Sequence, residues 1–352
     1  MIRAETYETY INKQGKISYK TEFLQRDLYD ILMKEGSPRL NYLHNRYRRI
    51  TAIPCGKCIE CKLTYSMDWA TRCMLEAKNY PENECWFLTL TYDDDHLRSH
   101  TVVNEETGEL ITGISLDKND LRKFWKKLRY YYPNSKIKYI DAGEYGTHTN
   151  RPHAHAIVFG LPLPIDGLKT YKTNEMGDRI WSTVPTDATT IRGKTRKKEI
   201  KVPSLEQIWG KGFVTVGRLT LESAAYVARY ALKKSIDQRA PNWAASQGKI
   251  DEFTSKSQSI GRKYFEEHWK EIYETDTVPI KKDGQLMKPP LAYDRWLKEK
   301  DEGLYYHIKA KRENQLIGSI RMTYKHGFTP EEQRDIIRQT HERSIKNLRK
   351  DV

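Results

Sequence analysis

No apolar run in the 352 residues approaches the roughly 20 needed to cross a bilayer, and the opening M-I-R-A-E-T-Y-E-T-Y has no signal-peptide core. No membrane association is expected, and an intracellular protein is. Cysteine is scarce, five residues all lying between Cys55 and Cys85. An odd, clustered set argues against an extracellular disulfide framework. There is no internal repeat. Acidic residues also fall short, 47 Asp and Glu against 61 Lys and Arg, leaving a net charge of +14. With 23 Tyr and 8 Trp as stacking platforms, the surplus suits a polyanion, nucleic acid first. A merely solvated basic surface has the same composition, so local motifs must separate the two. The length allows one large domain with appendages, or two domains.

The most informative stretch is R-P-H-A-H-A-I-V-F-G, Arg151 to Gly160. After the turn-favouring Thr149, Asn150 and Pro152 it has strand character, and alternate strand residues share a face. His153 and His155 therefore point the same way, followed on that face by Ile157 and Phe159, while Ala154, Ala156 and Val158 line the other. This predicts a strand buried on both sides with its histidines near an open end. The preceding K-I-K-Y-I-D-A-G-E reads as a strand turning back into it, which brings Glu144 beside the histidines; Asp141 is the reserve candidate. Two imidazoles and a carboxylate can hold a divalent ion with positions left open. Histidines held by carbonyls are the alternative.

In P-C-G-K-C-I-E-C, Cys55, Cys58 and Cys61 are spaced C-x2-C-x2-C, and Cys73 follows on the next predicted helix, residues 64–79. Four thiolates could close a structural zinc site, the alternative being reduced, partly buried thiols. An iron–sulfur cluster fits less well, since nothing else in the chain suggests electron transfer.

Trp86 to Tyr92 is predicted as a strand ending in Asp93 to Asp95, and residues 100–115 as a hairpin around Thr107-Gly108. A helix N-capped by Asp117 should carry Leu121, Phe124, Trp125 and Leu128 inward. Residues 161–203 read as a loop insertion whose basic run offers Arg192, Lys194, Arg196, Lys197 and Lys198 to phosphates. Beyond the predicted strand 213–218, T-L-E-S-A-A-Y-V-A-R-Y-A-L-K-K is a helix with Thr220 as N-cap and Leu221, Ala225, Ala228 and Leu232 as its packing stripe. Tyr226, Tyr230 and Lys233 lie on a neighbouring stripe, at i, i+4 and i+7. They can equally be amphipathic residues at the edge of the core. A hairpin on Asp283-Gly284 and a last helix opening at Thr329, Pro330 and Glu332 complete the reading, with residues 1–50 left open.

Two histidines, a carboxylate and a helix presenting phenols together suggest phosphodiester chemistry. The ion would bind the scissile phosphate, and a phenol would attack phosphorus to give a covalent phosphotyrosine.

F-L-T-L-T-Y (Phe87 to Tyr92), G-E-Y-G with R-P-H-A-H, and Y-V-A-R-Y-A-L-K resemble motifs I, II and III of the HUH endonucleases that initiate rolling-circle replication. The cysteine segment and paired tyrosines resemble the initiators of small single-stranded-DNA bacteriophages of the gokushovirus type. The resemblance covers about residues 54–234, with echoes in S-I-G-R (Ser259 to Arg262) and K-P-P (Lys288 to Pro290). It implies an α+β fold, a central antiparallel sheet flanked by helices with an RRM/ferredoxin-like core and the histidine strand in its middle. By the same resemblance His153, His155 and Glu144 are ligands for Mg2+ or Mn2+, Tyr226 and Tyr230 are nucleophiles, and Lys233 is the motif III lysine. Arg229 stands where relatives often carry Lys, so either Lys233 or Arg229 supports the chemistry, with Arg229 also a DNA contact.

The implied activity is nicking and joining of an origin in single-stranded DNA, with the host replication helicase and polymerase as partners, in the cytoplasm of a bacterial host. The corresponding division is an N-terminal extension, 1–53, an endonuclease core, 54–235, and a C-terminal appendage, 236–352. A non-catalytic, zinc-stabilised binder of single-stranded nucleic acid is the alternative class, and an HUH transposase is the alternative enzyme. The tyrosine pair favours an initiator over a single-tyrosine transposase.

Overall fold

The computed structural model describes residues 2–11, 17–24, 47–52, 59–104, 107–146, 149–174, 177–192, 198–236, 243–280, 284 and 286–325, with 336 and 339. Its contacts divide the chain into two units, Met1–Lys62 with Gln315–Val352, and Leu63–Asn314. In the first, β1 (Ile2–Ile11), β2 (Ile17–Leu24) and β3 (Tyr47–Ala52) form an antiparallel sheet in the order β2-β1-β3. Among the described residues no helix is long and apolar enough to cross a membrane.

The second unit is built on a seven-stranded antiparallel sheet. After helix α1 (Ile59–Ala77) and strand β4 (Cys85–Thr91), the hairpin of β5 (Arg98–Val103) and β6 (Leu110–Ser115) leads to helix α2 (Lys118–Tyr131). Strands β7 (Lys138–Tyr145) and β8 (Pro152–Phe159) follow. Then come β9 (Leu168–Thr173), β10 (Arg179–Thr183), β11 (Thr189–Arg192) and β12 (Lys198–Lys201), helix α3 (Leu205–Trp209), β13 (Val214–Arg218) and helix α4 (Leu221–Ile236). The last elements are β14 (Phe253–Lys256), α5 (Arg262–Thr275), the pair β15 (Val278–Pro279) and β16 (Leu286–Met287), α6 (Leu291–Lys300) and α7 (Glu302–Lys325). The sheet order is β14-β7-β8-β4-β13-β10-β9.

The alternation read in β8 is what makes the sheet two-sided. Ala154, Ala156 and Val158 join Leu88, Leu90, Val214 and Val216 in a core under α2 and α3. Ile157 and Phe159 join Ile140, Ala142, Ala70 of α1 and Leu221, Ala224 and Val227 of α4 in a core on the other face. Asp117 caps α2 by accepting from the Asn119 amide at 2.8 Å, and Leu121, Phe124, Trp125 and Leu128 are its buried side. Thr220 caps α4 by accepting from the Ser223 amide at 3.1 Å.

Three expectations need correction. Residues 161–203 are not a loop: β9 and β10 extend the central sheet and β11 pairs with β12. These outer strands are largely exposed and polar on both faces, the usual dress of an edge, so they carry no apolar alternation. The packing stripe of α4 is Leu221, Ala224, Val227 and Ala228; Ala225 is only half-buried, and the Leu232 side chain lies outside the described residues. The sheet also takes its edge strand β14 from beyond residue 235. The helix expected at Thr329, Pro330 and Glu332 lies outside the described residues.

S-I-G-R proves to be a clamp. Buried Glu76 on α1 accepts from the Gly261 amide at 2.6 Å and from Tyr80 Oη at 3.0 Å, and pairs with Lys138 Nζ at 2.8 Å. Arg72 donates to the Ile260 carbonyl from Nη2 at 2.9 Å, Lys138 to that of Ser259 at 3.2 Å, and Tyr293 to that of Gly261 at 2.8 Å. The turn needs positive φ at Ser259 (57°) and Gly261 (77°). Removing the shared carboxylate leaves a buried amide and an ammonium without their partner. Glu76→Ala should therefore lower the unfolding free energy by about 3 kcal/mol, and Glu76→Gln by less, as measured by urea denaturation.

Candidate metal centre and tyrosine helix

The register of β7 and β8 sets Glu144 directly opposite His153, and that of β8 and β4 sets His155 opposite Thr89. Directly paired residues on one face have Cβ atoms roughly 5 Å apart, so a long carboxylate reaches both imidazoles. Glu144 Oε1 lies 2.8 Å from Nε2 of His153 and 2.8 Å from Nε2 of His155. Among the described residues these three make the only group of at least three His, Cys, Asp or Glu able to hold an ion, with ligand atoms all within 4.8 Å of one another. Glu144 and His155 are buried and His153 is half-buried.

The other ring nitrogens are held from outside. His153 Nδ1 is 3.1 Å from the Arg151 carbonyl, and His155 Nδ1 is 3.0 Å from Thr89 Oγ1. A carbonyl oxygen only accepts, so Nδ1 of His153 carries the hydrogen and Nε2 is free to face the cluster. Two such nitrogens against one carboxylate oxygen need protons or a cation between them, and the donor set of two imidazoles and a carboxylate suits a divalent ion. Phe87 stacks on His155 with centroids 5.4 Å apart and planes at 16°, which fixes the ring's tilt. Arg151 bonds the Tyr92 carbonyl from Nη2 at 2.7 Å and Asp94 at 2.7 Å, tying the entry to β8 to the end of β4.

Tyr226 completes the group. Its hydroxyl donates to Glu144 Oε1 at 3.3 Å and lies 3.5 Å from His155 Nε2, its ring edge-on to that imidazole. Ser66 of α1 supports this turn of α4 by donating to the Ala225 carbonyl at 2.9 Å. Tyr230 and Lys233 follow on α4 at one and nearly two turns' distance; their side chains, and that of Arg229, lie outside the described residues. Thr89 and Phe87, from F-L-T-L-T-Y, carry no role in the sequence reading; their only signal there was the alternation that puts Phe87, Thr89 and Thr91 on one face.

Two other candidates fare differently. Asp141 is not a ligand: three residues from Glu144 on one strand, it faces the opposite side of the sheet. There it accepts from Trp125 Nε1 at 2.6 Å and from the Ser255 amide and hydroxyl at 3.0 and 2.7 Å. A zinc site closed by Cys73 is also overturned. Cys61 and Cys73 lie on one continuous helix, about 18 Å apart along its axis, far beyond the reach of a single zinc. Cys73 is instead a core residue whose thiol burial pushes up to about 12. Cys55 and Cys58 lie outside the described residues, and Cys61 is a half-buried free thiol. In the basic run, Arg192 pairs with Lys198 at the end of the β11–β12 ribbon, where Lys198 is exposed; Lys194, Arg196 and Lys197 lie outside the described residues.

An antiparallel sheet with two alternate histidines on an inner strand, a carboxylate on the neighbouring strand and a tyrosine helix across them is consistent with the HUH endonuclease fold. Residues 85–235 match the family model described as replication-associated protein ORF2. Replication-associated protein ORF2 of Spiroplasma virus 4 is 34% identical over 281 residues, 78% of this chain and 75% of that protein. Replication-associated protein VP4 of Bdellovibrio phage phiMH2K is 29% identical over 274 residues, 76% and 75% of the two chains. Replication-associated protein ORF4 of Chlamydia phage 1 is 32% identical over 232 residues, 65% and 49%. The chain belongs to this family of phage replication-associated proteins. No solved structure matches it.

Burial alone would raise the Glu144 carboxyl, but its hydrogen bonds to His153 and His155 and their charge outweigh burial and hold it well below the usual range. An unfolded glutamate titrates near 4.3, so the stability Glu144 contributes is present above that pH and is lost as pH falls through the lower folded value. In metal-free protein, Glu144→Gln should flatten the loss of stability below about pH 4.3, read from urea unfolding at a series of pH values.

Proposed function

We propose that the chain nicks and rejoins single-stranded origin DNA to start and finish rolling-circle replication of a small phage genome in the bacterial cytoplasm, alongside the host's helicase and polymerase. The chemistry falls to the core of residues 54–235. The observation that carries this reading is the Tyr226 hydroxyl 3.3 Å from Glu144 Oε1, a nucleophile on the rim of a His/His/Glu cluster. Such a distance suits a phenol and a phosphate held by the same centre. Family membership supports the replication role.

Glu144, His153 and His155 would hold Mg2+ or Mn2+, which when bound supplies positive charge for the non-bridging oxygens of the scissile phosphate. Tyr226 Oη forms a bond to phosphorus as the bond from phosphorus to the 3′ oxygen breaks. The phenol gives up its proton to solvent, and the departing 3′ oxygen takes one up. The 5′ end stays on the enzyme as a phosphotyrosine. A free 3′ hydroxyl reverses the step and joins the strand. Tyr230, one turn or about 6 Å further along α4, serves as second nucleophile while the first is loaded. Lys233 or Arg229 neutralises the phosphorane, and the basic run from Arg192 to Lys198, including Lys194, Arg196 and Lys197, contacts the strand's phosphates.

The test is covalent adduct formation with an origin-containing single strand and Mn2+, read on a denaturing gel. His153→Ala with His155→Ala should abolish the adduct while salt-sensitive DNA binding stays within about tenfold. Tyr226→Phe and Tyr230→Phe should each keep part of it and lose joining more severely, and the double replacement should lose it all. Adduct formed without metal by the double histidine variant, or wild-type cleavage and joining by Tyr226→Phe, would sink the reading.

A further inference from the structure

Helix α2 carries a second charged surface, on the side of the sheet away from the cluster. Its buried side, Leu121, Phe124, Trp125 and Leu128, packs on Ala154, Ala156 and Val158, the face of β8 opposite to His153 and His155. Its outer side exposes Lys118, Arg122, Lys123, Lys126 and Lys127. The helix's one acid, Asp120, is buried and paired with Lys211 at 3.3 Å and Arg98 at 3.7 Å, so it neutralises none of them. Among the described residues no carboxylate makes an ion pair with any of the five; Lys118 alone has a ring partner, Phe253 at 5.4 Å. Five unpaired cations on one helix repel each other at i, i+4 spacing, which disfavours the free helix. A polyanion relieves that repulsion.

From this we infer that the outer face of α2 binds the phosphate backbone of double-stranded DNA, apart from the metal centre and whether or not nicking is correct. The choice of duplex rests on what the face lacks. Single strands are held by aromatic platforms on which bases stack, and none stands among these cations; exposed Tyr130, at the helix's end, sits edge-on to Tyr131 at 5.1 Å. A face of cations alone suits a polymer whose bases are stacked inside. The 14-residue helix is about 21 Å long, the rise of about six base pairs.

The experiment uses the full chain and a fluorescent 20-base-pair duplex of arbitrary sequence, without divalent ions, titrated over a range of salt. A variant with Lys118, Arg122, Lys123, Lys126 and Lys127 all changed to Gln is compared with one changing five exposed lysines elsewhere, Lys263, Lys270, Lys298, Lys309 and Lys311. The α2 variant should bind the duplex at least about tenfold more weakly, with a log–log salt slope shallower by two or more, toward a limit of about 4.5 for five contacts. The control should lose far less, and adduct yield on a short single strand should be unchanged in both. Should the fivefold variant not fold, as judged by its melting curve, Arg122→Gln with Lys126→Gln should still lower the slope by about 1 to 2. Duplex affinity and slope equal to the parent's, a loss no greater than the control's, or an equal loss on single strands would overturn the assignment.

Discussion

Strand β8 must serve two faces with one backbone, and the period of two is the constraint on which everything else rests. Its even-numbered residues Ala154, Ala156 and Val158 close one core; its odd-numbered Ile157 and Phe159 close the other. His153 and His155 continue the odd row to where the core gives way to solvent. A slip of one residue in pairing with β4 or β7 would exchange the rows, sending both imidazoles under α2. The register is defended by the packing of some of the largest buried side chains in the molecule, Phe159 and Ile157 among them. Stability of the sheet and geometry of the centre are therefore one requirement.

Around that strand, each imidazole is oriented from a different direction. A carbonyl of the entry turn holds His153, and a threonine and a phenylalanine of β4 hold His155. Glu144 is held in place only by what it binds, which is why its carboxyl is so acidic despite burial. The tyrosine helix is positioned independently, by its packing on the same core and by Ser66. The centre is thus assembled from parts far apart in sequence, and each part arrives on a rigid element.

Much of this was legible because period and phase are carried by single residues. The histidine face, the opposing glutamate and Tyr226 all follow from counting by twos or by turns. The polar outer strands β9 to β12 could not be found that way, since an edge with both faces wet has no apolar rhythm. The stripe of α4 was misjudged because alanines on adjacent rows give no contrast to fix a phase. Cysteine spacing misled for a different reason: C-x2-C describes proximity along the chain, and an intervening helix turns that into distance. Thr89 and Asp141 show the limit for polar residues, whose partners are decided by the sheet.

The clamp on S-I-G-R and the edge strand β14 have a bearing on synthesis. The contacts from Arg72 and Glu76 to Ile260 and Gly261 span 188 and 185 residues, and Tyr293 must also be present before the turn is fully gripped. A ribosome that has released residue 235 has already made both histidines, the glutamate and the tyrosine helix, yet β7 still lacks its outer neighbour. During that interval the strand carrying Glu144 offers a row of unpaired backbone groups to any passing chain. Contacts of such sequence separation also form slowly. The chain therefore passes through a stage in which its motifs are complete and its sheet is open.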